Sequence, residues 1–401
     1  MTSPNRILQG ETLDQSIPQK RRSIWSSSHS LCCLLFCSLC ASRQGPVLVE
    51  DNIITLPISR RFNFTGTGNI VQNDLARINA VRSRSAAKKG LASRAVISEP
   101  VDNQVVSYIA SVGVGSPATT YDLIVDTGSS NTWVGAGKSY VVTSTSTKST
   151  QSVSVSYGSG SFSGTEYTDQ VTLASGLVIP KQSIGVASTS TGFDGVDGIF
   201  GSPSTLIPTV TDNLFSQGTI TSDLIGISFE PTTSEDDPNG SIAFGGTDST
   251  KFTGSISFTA VTSTSPATDY WGINQSVTYG TTSILATTAG IVDTGTTLIY
   301  LATNGFTKYK SATGANLNFV IGGVTYALTP NAQIWPRSLN TAIGGSASSI
   351  YLVVADWGSN SGQGLDFING YAFLERFYSV FDTANKRVGL ATTPFTTATT
   401  N

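Results

Sequence analysis

Residues 121–135 read YDLIVDTGSSNTWVG, and residues 290–301 read GIVDTGTTLIYL. In each, an apolar run ends in an acid that is followed by threonine, glycine and two hydroxyl residues. One Asp-Thr-Gly is usually a turn and nothing more. Two copies, each behind a strand-like run, indicate two copies of one lobe. A carboxylate at the end of a buried strand costs several kcal/mol unless donors surround it. Hydroxyls and bare glycine N–H groups supply such donors here, so Asp126 and Asp293 read as carboxylates held on purpose. Set face to face across a pseudo-twofold axis, the pair cannot both ionise cheaply and would share one proton and one water. Such a pair can deprotonate the water while protonating a carbonyl.

The composition narrows the alternatives. The chain has 401 residues, of which 12% are charged, and it is rich in Gly, Ser and Thr, which favours many short strands over helices. An all-β chain of two lobes with a few short helices is expected. The cysteines are Cys32, Cys33, Cys37 and Cys40, and the sole histidine is His29, so beyond residue 40 neither type occurs. A Ser-His-Asp triad, a Cys-His nucleophile and a cysteine or histidine zinc site are thereby excluded from the body, and no metal or other cofactor is expected. Residues 1–94 hold 13 basic and 5 acidic side chains, whereas residues 95–401 hold 10 basic and 21 acidic ones. An acidic body argues against nucleic acid and anionic membrane as partners.

The chain divides accordingly. Lys20, Arg21 and Arg22 precede the apolar run LCCLLFCSLCA at 31–41, which is too short to span a bilayer and matches a secretory signal, so residues 1–42 read as a leader for export. Residues 43–94 form a basic segment with a predicted helix from Ile70. A cation from this segment laid against the two acids would block water and substrate, and Lys88 or Lys89 is the expected plug, with cleavage near Arg94. Residues 95–230 and 231–401 are the two expected lobes, separated in the polar, turn-rich stretch 231–240. Within them, VSVSYGSGSF at 153–162 reads as a hairpin with a bendable tip. Helices are predicted at 206–217, 303–309 and 371–378. Asn63, Asn239 and Asn274 open N-x-Ser/Thr sequons.

The paired loops, the hairpin and two later elements, Ile199-Phe200-Gly201 and Ile368-Asn369-Gly370, resemble those of the pepsin-type aspartic endopeptidases over about residues 105–400. That resemblance implies a bilobal acid-protease fold and a monomeric enzyme acting on polypeptides, sensitive to pepstatin-type inhibitors and kept latent by its own propeptide. Asp126 and Asp293 match the catalytic pair. Ser129 and Thr296 match the hydroxyls on the outer carboxylate oxygens, Gly128 and Gly295 match the amides on the inner ones, and Thr127 and Thr294 complete the loops. Tyr157, Gly158 and Ser159 match the flap, and Trp133 the residue that steadies its tyrosine. Three departures stand out: an uncharged Ser159 where many fungal relatives carry an acid, a polar Asn369, and shorter chain after Gly201 and between Tyr309 and Asn318. The first implies a preference for bulky apolar residues around the scissile bond. A catalytically inactive relative that binds peptides and a glycoside-cleaving β-protein are the two competing classes.

Overall fold

In the computed structural model, residues 53–62, 70–88, 106–157, 160–201, 208–234, 237–311 and 314–400 are described. The leader, Asn63, Lys89, Gly158, Ser159 and the side chain of Lys88 lie outside the described residues. The chain begins with strand β1 (Ile54–Phe62) and helix α1 (Ile70–Lys88), and continues with β2 (Val106–Val114), β3 (Thr119–Asp126) and β4 (Trp133–Val134). Next come β5 (Thr147–Tyr157), β6 (Gly160–Ala174), β7 (Leu177–Thr191), β8 (Gly198–Gly201), α2 (Val210–Ser216), β9 (Leu224–Ser228) and β10 (Asp237–Phe244). The second half holds β11 (Thr253–Ala260), β12 (Gly272–Tyr279), β13 (Thr282–Val292), β14 (Ile299–Leu301), α3 (Thr303–Lys310), β15 (Leu317–Ile321) and β16 (Val324–Leu328). It closes with β17 (Val354–Asp356), β18 (Phe367–Asn369), α4 (Tyr371–Leu374), β19 (Phe377–Asp382) and β20 (Arg387–Thr392).

These strands form a thirteen-stranded sheet, ordered β11-β20-β19-β9-β10-β1-β2-β3-β8-β4-β7-β6-β5, and a seven-stranded one, ordered β16-β15-β12-β13-β18-β14-β17. The two lobes repeat one motif. In the first, β8 runs parallel to β3 and antiparallel to β4, which sets Gly201 beside Asp126 and Ile199 beside Trp133. In the second, β18 runs parallel to β13 and antiparallel to β14, which sets Asn369 beside both Val292 and Ile299. Ile199-Phe200-Gly201 and Ile368-Asn369-Gly370 thus thread between the strands on either side of each aspartate loop. Their continuous apolar neighbours fit strands buried on both faces.

Strand β1 lies inside the larger sheet, antiparallel to β10 and to β2, with Ile58 facing both Gly240 and Ala110. Its Arg60 is buried, pairs with Glu375 at 3.4 Å and lies over the rings of Trp335 and Tyr371. Strand β1 of the basic segment is therefore built into the core.

Two predicted helices are shorter than the sequence suggests. The helix expected over 206–217 begins at Val210 because Thr209 caps it: Asp212 accepts from the N–H and the hydroxyl of Thr209 at 2.6 and 2.7 Å. The stretch 371–378 is helical only over Tyr371–Leu374, after which Phe377–Asp382 is a wholly buried strand. A short apolar run has no period of its own, and pairing with β9 and β20 decides its form.

Candidate active site

Strand β3 ends in Asp126 and β13 leads directly into Asp293, and both side chains are 0% exposed. Each carboxylate receives the donors that burial demands. Asp126 accepts from the Gly128 N–H at 2.8 Å and from the Ser129 hydroxyl, and Asp293 accepts from the Gly295 N–H at 3.0 Å and the Thr296 hydroxyl at 2.6 Å. The loops are locked to each other by their threonines. The Thr127 N–H donates to Oγ1 of Thr294 and the Thr294 N–H to Oγ1 of Thr127, both at 3.0 Å, and the Thr294 hydroxyl donates to Val125 O at 2.9 Å.

The two carboxylates are close. A Cβ on Gly128 would lie 2.7 Å from Oδ1 of Asp293, and one on Gly295 2.6 Å from Oδ1 of Asp126. Only glycine lets each loop reach the acid of the other.

Between them lies Arg77 of α1. Its Nε and Nη2 donate to Asp293 at 2.9 and 3.1 Å, and the same Nη2 donates to Asp126. Burial alone would raise the pKa of Asp293, but the Arg77 guanidinium, Thr296 and the Gly295 amide outweigh it and hold that carboxyl below the usual range. One turn earlier, Asp74 accepts from the N–H groups of Thr297 and Leu298 at 3.2 and 3.0 Å. Burial pushes the Asp74 carboxyl up to about 7, against the pull of those two amides and of Arg77.

A cation does sit on the acids, and it is Arg77 rather than Lys88 or Lys89. Eleven residues separate Arg77 from Lys88, which along a helix is roughly 16 Å, too far for both to serve one site. Charge alone does not single out Arg77, but its place on the buried face of the helix does. Among the described side chains of α1, Ile70, Asn73, Asp74, Arg77, Ile78 and Val81 are buried, and they recur at helical spacing. An acid and a base inside an otherwise inward-facing stripe demand partners on the far side.

The hairpin β5–β6 brings Tyr157 opposite Gly160 and places its ring in an aromatic cluster. Trp133 lies 6.3 Å from Tyr157, 4.2 Å from Phe162 and 4.8 Å from Phe193, centroid to centroid. Tyr157 and Trp133 are both 0% exposed. Of the sequons, Asn274 is exposed on β12, whereas Asn239 is half-buried and its Nδ2 donates to Glu230 O. Sequence reasoning missed one further pair behind Asp293. The buried amides of Asn369 and Gln275 bond reciprocally at 2.8 and 3.2 Å, and the Asn369 carbonyl accepts the Asp293 N–H at 3.2 Å. Among the described residues, no helix is long and apolar enough to cross a membrane, and no three potential metal ligands converge.

Comparison with known proteins gives a consistent picture. The family model described as eukaryotic aspartyl protease matches residues 107–393. Polyporopepsin of Irpex lacteus is 65% identical over 338 residues, covering 76% of this chain and 99% of that protein. Pepsin A of Sus scrofa is 28% identical over 393 residues, covering 86% and 97% respectively. The crystal structure of aspartic proteinase from Irpex lacteus superposes with a TM-score of 0.73 at 56% identity, covering 87% of this chain and all of that one.

Proposed function

Because the chain belongs to the eukaryotic aspartyl protease family, and is an aspartic endopeptidase of pepsin-like fold, we propose that it is exported as a zymogen. In this reading, Asp126 and Asp293 carry the chemistry in acid. The observation that bears most weight is Arg77: a side chain of the basic segment binds both carboxylates at once, where a water and a peptide carbonyl would otherwise go. With α1 docked, no substrate can reach the pair. With residues 43–94 removed, two close carboxyls face each other and share one proton. The ionised one takes a proton from the bound water, whose oxygen adds to the scissile carbonyl carbon. The protonated one gives its proton to the carbonyl oxygen, and a gem-diol forms. Collapse of the diol with proton transfer to nitrogen releases acid and amine, and no bond to the protein is made.

Ser129, Thr296, Gly128 and Gly295 hold the acids in place, and Thr127 and Thr294 fix the two loops to each other. Tyr157, with the Gly158-Ser159 tip, closes over the peptide, steadied by Trp133. An uncharged residue at 159, in place of an acid, fits bulky apolar residues at the scissile bond. Asn274, being exposed, is the preferred glycan acceptor of the three sequons.

The test is acid incubation of the purified precursor, N-terminal sequencing, and casein hydrolysis with and without pepstatin. The expected product starts near Ala95 and is pepstatin-sensitive, while D126N and D293N each lose at least about a thousandfold in kcat/KM. Full activity in either asparagine variant would sink the assignment.

A further inference from the structure

Five residues beyond Arg77, helix α1 lays a second guanidinium against Trp357 and Ser359. The Arg82 guanidinium carbon stands 4.4 Å from the Trp357 ring centroid, and its Nη2 donates to the Ser359 hydroxyl at 2.9 Å. Burial disfavours the Arg82 cation, and the nearby carboxylate of Asp366 opposes that penalty. Trp357 and Asp366 are also held by residues outside the helix. The Trp357 backbone N–H donates to Leu301 O at 2.8 Å, and Asp366 is fixed by the Thr288 hydroxyl and by the backbone amides of Gly362 and Gln363 at 2.7 and 2.9 Å. When the basic segment leaves, a flat aromatic face, a hydroxyl acceptor and a buried carboxyl group remain where the Arg82 guanidinium lay.

We propose that this cradle is a substrate subsite for an arginine side chain, formed by Trp357, Ser359 and Asp366 and occupied in the precursor by Arg82. The assignment rests on the proposed removal of residues 43–94. Arginine suits it better than lysine because a planar guanidinium stacks on an indole while still donating sideways to a hydroxyl. Five helical residues rise about 7.5 Å. An extended peptide covers that distance in about two residues, so the subsite lies near the scissile bond without including it. The apolar preference at the bond itself is unaffected.

The experiment uses the acid-processed enzyme and a peptide series with arginine, citrulline or norleucine at each of the three positions on either side of one scissile bond. At one position, arginine is expected to raise kcat/KM about tenfold over both neutral residues, the size of a partly desolvated cation–π contact. Trp357→Leu should bring that ratio to about one, and Ser359→Ala should cut it about threefold, the share of one hydrogen bond. The ratio is read within each variant, so a general loss of stability does not mimic the result. Equal rates for arginine and norleucine at every position, in an enzyme that cleaves the norleucine peptides, overturn the subsite alone. A precursor that retains residues 43–94 in acid overturns the zymogen reading and the subsite with it.

Discussion

Asp126 and Asp293 receive the same kinds of donor, yet the strand behind each is supported differently. Behind Asp126, Phe200 is buried in the apolar core, with its ring 6.5 Å from that of Phe244. Behind Asp293, the matching position is Asn369, held by the amide of Gln275. Helix α1 is also lopsided: Arg77 donates twice to Asp293 and once to Asp126, and Asp74 engages amides of the second loop alone. The aromatic hairpin belongs to the first lobe. The loops match where they meet, each threonine bonding the other loop; away from that contact the first half carries the aromatic hairpin and the second takes most of the bonds to helix α1.

The largest effect is expected at that grip. Arg77→Ala leaves two buried carboxylates facing each other without a cation, which costs roughly 3–5 kcal/mol of docking. The variant precursor should bind pepstatin near neutral pH, where the parent does not. Arg77→Lys keeps the charge but loses the fork, and should fall between the two. A variant as latent as the parent would show that the helix is held elsewhere.

A smaller effect sharpens the contrast behind the loops. Asn369→Leu strands the Gln275 amide in an apolar site at a cost of about 1–3 kcal/mol, whereas the double change Asn369→Leu with Gln275→Leu should recover most of it. Thermal unfolding of the three variants measures this. Strict additivity of the two single changes would mean that the amides do not act as a pair.

The smallest effect concerns pH. Asp74 is raised to about 7 when docked, so its contribution to docking is full below its free-state value of 3.8 and fades as pH rises through 7. Asp293 is depressed, so its contribution is present above the ordinary carboxylate range and is lost as pH falls through the lowered value. In the proposed zymogen, release in acid would therefore come from the Asp293–Arg77 contact, with Asp74 working against it. Asp74→Asn should flatten helix protection between about pH 4 and 7 and leave acid release in place. Hydrogen exchange of the α1 amides reads both; an unchanged profile would remove Asp74 from the account.

The aspartate loops were legible because strand, acid and donors lie within a dozen residues of one another, and because the pattern recurs. Arg77 was not, since basic side chains are plentiful in its segment and charge alone does not rank them. Their place on the buried face does, and Asp74 three residues before Arg77 marks it. The Gln275–Asn369 pair joins positions 94 residues apart, beyond any local pattern. The form of residues 371–378 was likewise set by neighbouring strands rather than by composition.

Strand β1 gives the proposed maturation a cost that no local contact reveals. It fills the space between β10 and β2, bonded on both sides, with Arg60 sunk into the body beneath it. A chain severed from that piece, once unravelled, would lack a part that helped to assemble it. The working life of the processed enzyme would then be set by the height of the barrier to coming apart, not by any balance between open and closed forms.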